Sequence, residues 1–206
     1  MSDDQVGETT KQRIFRIAAE LFAARGFAAT GVAELAEATG VGKGALYYHI
    51  GSKEELLYEI VKLHVEEALV YGEALVKAEL PAEAKLRRLG RQQMRVIADH
   101  LPEVTLYFRE EAALTGERRV SLSLIRKRWE DVWSRILEQG VEEGVFRSAD
   151  SITVKGILGA FNYSWVWLRP DGALSPEEIA DRLVETVLHG QLVVRNLPVS
   201  ASSAVG

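Results

Sequence analysis

From Gly40 to Leu56 the chain reads Gly-Val-Gly-Lys-Gly-Ala-Leu-Tyr-Tyr-His-Ile-Gly-Ser-Lys-Glu-Glu-Leu. These residues suit recognition rather than bond-making. If Val41 is the buried hydrophobe of a turn and Leu46 anchors a short helix, Lys43, Gly44, Ala45, Tyr47, Tyr48 and His49 face outward. Gly42 and Gly44 let a partner approach the backbone, and a helix N-terminus favours anions. Lys43 and Lys53 flank this helix, and no acid stands between Gly40 and Ser52. The surface is locally positive, with bare amides and amphipathic rings, as contact with phosphates and base edges requires. The whole chain is acidic, at net −5, so the positive charge is a matter of placement.

Other chemistries lack their residues. There is no cysteine, which excludes thiol redox, thiolate metal sites and a disulfide framework. A di-metal helical bundle needs Glu-x-x-His pairs, but Glu185 and His189 are four apart and stand alone. There is no phosphate loop of the P-loop form and no nucleophile elbow. The expectation is a protein that is not an enzyme and needs no cofactor or metal. With no basic, apolar leader and no run of about 18 apolar residues, no membrane partner and a cytoplasmic location are expected.

The elements that hold the Gly40–Leu56 run are helices throughout. The fold class expected is all-α, about nine helices, because apolar residues recur at steps of three and four and no segment alternates. A capping box at Thr9 and Gln12 opens the first helix, Ile14, Ile17, Leu21 and Phe22 give its stripe, and Gly26 ends it. The second helix spans Val32 to Thr39, Gly40 makes the turn, and the third spans Lys43 to His49. Three short helices in this order read as a helix-turn-helix. Ser52 and Glu55 open a long connector reaching about Ala78. Further helices are expected over 83–99, 102–114, 119–142, 152–168 and 176–195. The domains expected are a tail at 1–8, a DNA-binding domain at 9–51, an effector-binding and dimerisation domain at 52–197, and a tail at 198–206.

The Gly40–Leu56 run, with Ala24-Arg25-Gly26-Phe27 and the Thr30–Ala36 segment before it, closely resembles the signature of the tetracycline-repressor (TetR) family. The resemblance is specific over about Thr9 to Leu57. It implies that Tyr47, His49 and Lys53 touch phosphate, that Lys43, Gly44 and Tyr48 lie at or beside base edges, and that Thr30 and Gly31 meet the backbone. The chain departs from the family at Ala45 and Gly31, where Ser or Thr is common, so two hydroxyl contacts are missing. The partners implied are a double-stranded DNA operator, a second copy of the chain and a small-molecule effector. Repression relieved by ligand is the family's common outcome.

The family's architecture also implies a larger C-terminal helical domain that dimerises through its last two helices. Ile157, Leu158, Phe161, Leu168, Ile179, Leu183 and Val187 form stripes suited to such an interface, and Gly156, Gly159 and Ala160 permit close helix approach. All four tryptophans lie in this half. Trp129, Trp133 and Trp165, with Phe108, Phe161 and Met94, suit the wall of an effector cavity. Arg109, Arg118, Arg119, Arg126, Lys127 and Arg128 form a basic cluster, read first as a solvated helix face. The segments 126–146 and 167–172 resemble those of acyl-CoA-responsive TetR regulators. That resemblance implies an acyl-CoA effector, with Arg109 and Arg126 facing its phosphates. The alternative is a dimeric helical adaptor that keeps the helix-turn-helix as scaffold. Salt-sensitive DNA binding separates the two.

Overall fold

The computed structural model of the protein describes residues 8–191. Its elements are α1 (Thr10–Arg25), α2 (Val32–Thr39), α3 (Lys43–Ile50), α4 (Lys53–Lys77), α5 (Ala82–Asp99), α6 (Leu101–Glu110), a 3-10 turn (Glu111–Ala113), α7 (Gly116–Glu142), α8 (Ser151–Asn162), α9 (Ser164–Trp167) and α10 (Pro176–Gln191). The described residues contain no strand element. None of their helices is long and apolar enough to cross a membrane. The expected tails and the expected end of the last helix at 192–195 lie outside the described residues, except Glu8, which pairs with Arg16 at 2.9 Å.

Local chemistry sets most boundaries. The Thr9 side chain accepts from Gln12 N while the Gln12 side chain accepts from Thr9 N, so the capping box is complete. Ser52 caps α4 by accepting from Glu55 N at 3.0 Å. Asp150 caps α8 through Ile152 N and Thr153 N. Gly40 takes φ 68° after α2, a left-handed conformation that glycine adopts without a Cβ penalty.

Gly140 lies buried inside α7, and a Cβ there would stand 1.9 Å from the Phe146 ring. Two expectations change. Helix α6 stops at Glu110, and the chain makes a single 3-10 turn before Leu114. The helix expected over 152–168 breaks at Tyr163. Beyond the break the chain turns, so that Ser164 is fully buried and the Trp165 ring stacks on Phe108.

Two apolar cores result. One joins the later part of α4 with α5, α7, α8 and α10. The other joins α1, α2 and α3 with Leu56, Leu57, Ile60 and Val61 of α4, Leu106 of α6, Leu122 of α7, and Leu114 just after the 3-10 turn. The core of the first three helices therefore does not close at residue 51 but is completed by the connector and by α6. Polar clamps reinforce the junction: Thr115 N and Oγ1 donate to Glu54 at 2.9 and 3.0 Å, and Tyr58 and Ser121 share a 2.8 Å hydrogen bond. At the far end of α4, buried Lys85 donates to Val76 O at 2.7 Å and to Gln139 Oε1 at 2.8 Å. That serves a carbonyl the helix end leaves unpaired.

Candidate nucleic-acid interface and effector cavity

Helix α3 is anchored by two buried side chains, Leu46 and Ile50. Burial of each is worth about 1.5–3 kcal/mol. Everything else on it is at least partly open. Tyr48 is 87% exposed and Tyr47 42%, so neither ring belongs to the core. Lys43, Gly44 and Ala45 are exposed and His49 is half-buried against the edge of the Tyr48 ring. Nothing lies within 4 Å of a Cβ built on Gly31, Gly42 or Gly44. The fold itself does not demand glycine at these three places, and a flat partner can come close.

Two expected contacts look different in three dimensions. Thr30 is fully buried and its hydroxyl donates to Gly26 O at 3.0 Å. Its side chain serves the turn after α1 and cannot reach a partner, while Gly31 beside it is exposed. Lys53 is half-buried, with Nζ 4.3 Å from the Phe27 ring centroid. Burial lowers its pKa and the nearby Glu110 carboxylate partly offsets this. Glu110 also accepts from Phe27 N at 3.1 Å, which ties α6 to the turn between α1 and α2.

A cavity of about 350 Å³ opens between α4, α5, α6, α7 and α8. Phe108, Arg126 and Trp129 line it as expected. Met94, Trp133 and Phe161 do not; each is fully buried in the core. Trp133 and Phe161 form the layer behind Trp129, with ring centroids 6.3 Å (Trp129–Trp133) and 5.2 Å (Trp133–Phe161) apart. Trp165 backs Phe108, and Arg109 is exposed with its guanidinium 5.2 Å from the Trp165 ring. A helical stripe is the same in sequence whether it meets a void or a neighbouring helix, and the aromatic pattern could not tell these layers apart.

The basic cluster is largely neutralised in place. Arg118 pairs with Glu55, Lys127 with Asp131 and Arg128 with Glu73. Of the cluster only Arg126 reaches the cavity, and it holds Glu111 at 3.0 Å. Lys155 of α8 is a second cation on the lining, which pattern reasoning missed, and Glu103, Glu111 and Glu130 also line it. Tyr107 lines it too, whereas Gln93, Asn162 and His64 were missed. Their sequence signal was a polar group on an otherwise apolar stripe. Gln93 Nε2 donates to Asn162 Oδ1 at 2.5 Å, and Gln93 Oε1 is buried without a partner. Burial pushes the Tyr107 hydroxyl up to about 12, so it stays a neutral donor.

The stripes expected to dimerise are mostly internal. Ile157, Leu158, Phe161 and Leu168 are buried within their own chain, because α8 lays that face on the core built by α5 and α7. Ile179, Leu183 and Val187 are half-buried against the same core. Ion pairs Arg87–Glu185, Arg91–Asp181 and Arg95–Glu177, at 2.6, 2.7 and 3.1 Å, run along the α5–α10 contact. The outward side of α8 and α9 instead exposes Ile152, Tyr163, Val166 and Trp167 at 79, 62, 49 and 45%. Gly156, Gly159 and Ala160 lie exposed on the same stretch.

Comparison with known proteins agrees with this geometry. The family pattern described as "Bacterial regulatory proteins, tetR family" matches residues 14–60, and "Tetracyclin repressor-like, C-terminal domain" matches 79–191. The HTH-type transcriptional repressor KstR2 of Rhodococcus jostii is 30% identical over 92% of this chain and 95% of its own. The structure of the ketosteroid transcriptional regulator KstR2 of Mycobacterium tuberculosis superposes with a TM-score of 0.84 at 27% identity, covering 91% of this chain and 97% of that one. AibR in complex with isovaleryl coenzyme A and operator DNA superposes with a TM-score of 0.75 at 28% identity, covering 86% and 97%.

Proposed function

This chain belongs to the TetR family of helix-turn-helix transcriptional regulators, and we propose that it is a homodimeric repressor released from a palindromic operator by an acyl-CoA. In this reading Lys43, Gly44 and Tyr48 meet base edges, and Tyr47, His49 and Lys53 meet phosphates. The exposed amide of Gly31 serves the backbone in place of the Thr30 hydroxyl. The outward faces of α8 to α10 make the dimer, with Ile152, Tyr163, Val166 and Trp167 as its apolar centre and the small residues of α8 allowing close approach. Paired α3 helices then enter successive major grooves, about 34–36 Å apart.

One observation carries the regulatory part: Val61 belongs to the core under the reading head and also to the cavity wall. Helix α6 has the same double role. Leu106 packs into the head core while Val104 and Tyr107 line the cavity. A ligand that prefers one setting of α4 and α6 must therefore change the preferred setting of the head, and linkage makes the effect reciprocal. A coupling of about 1–3 kcal/mol changes operator affinity about 5–150-fold.

The effector class rests on the resemblance to AibR, whose complex contains isovaleryl coenzyme A, and on the cavity. At about 350 Å³ it lies at the small end of the range for ligand pockets, about 300–1,000 Å³. It takes an acyl group, and the nucleotide end of the thioester lies outside near Arg126 and Lys155. Fluorescence anisotropy with operator fragments selected from the source genome tests both halves. Operator binding should fall steeply with salt, and short-chain acyl-CoAs should weaken it while the free acids do not. Acyl-CoAs that bind yet leave operator affinity unchanged would exclude the coupling.

A further inference from the structure

The chain has four histidines, and the fold brings two of them face to face. His64 of α4 stacks on His100, the residue joining α5 to α6, with ring centroids 3.5 Å apart and planes 16° from parallel. Glu103, in the first turn of α6, completes a cluster whose donor atoms all lie within 4.8 Å of one another. All three side chains are half-buried. His64 Nδ1 is sealed from solvent without a hydrogen-bond partner. The nearest carboxylate, that of Glu67, stands 3.5 Å from it.

We propose that His64, His100 and Glu103 bind a first-row divalent metal ion of the zinc class, with one coordination position open to the effector cavity. Two imidazoles and one carboxylate suit zinc, nickel or cobalt far better than magnesium or calcium, which take oxygen ligands. Three protein ligands leave a fourth position free, and His64 and Glu103 both line the cavity. Donors around a tetrahedral ion at about 2.0–2.2 Å stand about 3.3–3.6 Å apart. Side-chain rotations that move the donor atoms by about an ångström bring the present spacing, within 4.8 Å, to that distance and unstack the rings. Glu67 then serves as the outer acceptor that holds a metal-bound imidazole in one tautomer.

The local field supports a cation. Besides His100, the charged groups acting on His64 are Glu103 and Glu67, both acidic. Such an ion would cross-link α4 to the α5–α6 junction, the two elements that join the cavity to the reading head. Metal binding itself does not depend on the repressor reading and can be read without operator or effector.

The test is titration of chelator-treated full-length protein, with Co²⁺ followed by visible absorption and Zn²⁺ by calorimetry. One ion per chain should bind with a dissociation constant of about 1 µM or tighter, and Co²⁺ should show the intense bands of a low-coordinate site. His64→Gln and Glu103→Gln should each weaken binding at least about tenfold, whereas His189→Ala, at an exposed position of α10, should not. No saturable binding by the unaltered protein below about 100 µM, or equal binding by the His64→Gln and His100→Gln variants, would overturn the site. The stack would then be a packing contact between neutral rings.

Discussion

At the scale of the residue, the reading surface separates folding from recognition. Leu46 and Ile50 hold α3 in place, while Tyr47, Tyr48 and Lys43 contribute little to the core. Truncating an exposed side chain changes stability by less than about 0.5 kcal/mol, so Tyr48→Ala should melt with the parent protein. Loss of a base-edge or phosphate contact costs about 1–3 kcal/mol of binding, and Tyr48→Ala should therefore weaken operator binding about 5- to 150-fold. Thermal melting alongside an anisotropy titration checks both. Equal operator affinity would remove Tyr48 from the interface. Gly140 shows the opposite case, in which a residue without a side chain decides packing. The Phe146 ring occupies the space of its missing Cβ, only 1.9 Å away. Overpacking costs about 1–3 kcal/mol, so Gly140→Ala should lower the unfolding free energy by that amount, read as a lower denaturant midpoint with an unchanged m-value.

At the scale of the element, helices here are joined by charge as well as by apolar faces. Helix α10 lies on α5 through buried Ala180, Val184 and Leu188, and three ion pairs flank that seam. Each exposed pair is worth about 0–1 kcal/mol, so the apolar face dominates. The pairs do confer a pH dependence. Hydrogen bonds from Arg91 hold the Asp181 pKa below its usual value. A carboxylate depressed on folding contributes its stability above the unfolded pKa, about 3.9, and loses it as pH falls through the folded value. Stability should therefore drop more steeply below about pH 4 in the parent than in Asp181→Asn, as measured by urea midpoints over an acid series. Parallel curves would mean the pair contributes nothing.

At the scale of the whole molecule, the head is not an independent module. Its core is completed by α4 and α6, and those helices also wall the cavity. Glu110 adds a direct tie by accepting from Phe27 N. The proposed coupling needs no further pathway: a change in the setting of two shared helices acts at both ends. Filling the cavity without an effector isolates that coupling. Val104→Trp places a large ring in the cavity from α6, on the face opposite Leu106. The variant should lose response to acyl-CoA. Its operator affinity should move as far as the ring biases α6, by up to about 150-fold. Full acyl-CoA response in that variant would show that the effector binds elsewhere.

Local chemistry alone settled the helical class, the helix-turn-helix and its exposed tyrosines. Caps, a left-handed turn glycine and stripes of period 3.6 act over a few residues, and short-range interactions are written in neighbouring positions. That is why Thr9, Gly40, Ser52 and Leu46 were legible. Which stripe meets which partner was not. Phe161, Trp133 and Met94 look alike whether they line a void, face a second subunit or fill the interior, and only packing of distant helices sends all three to the core. The same packing turned Thr30 inward, drew Lys53 onto Phe27, and brought His64 and His100 together from 36 positions apart. Burial is a property of surfaces in contact, and the tertiary structure decides which surfaces those are.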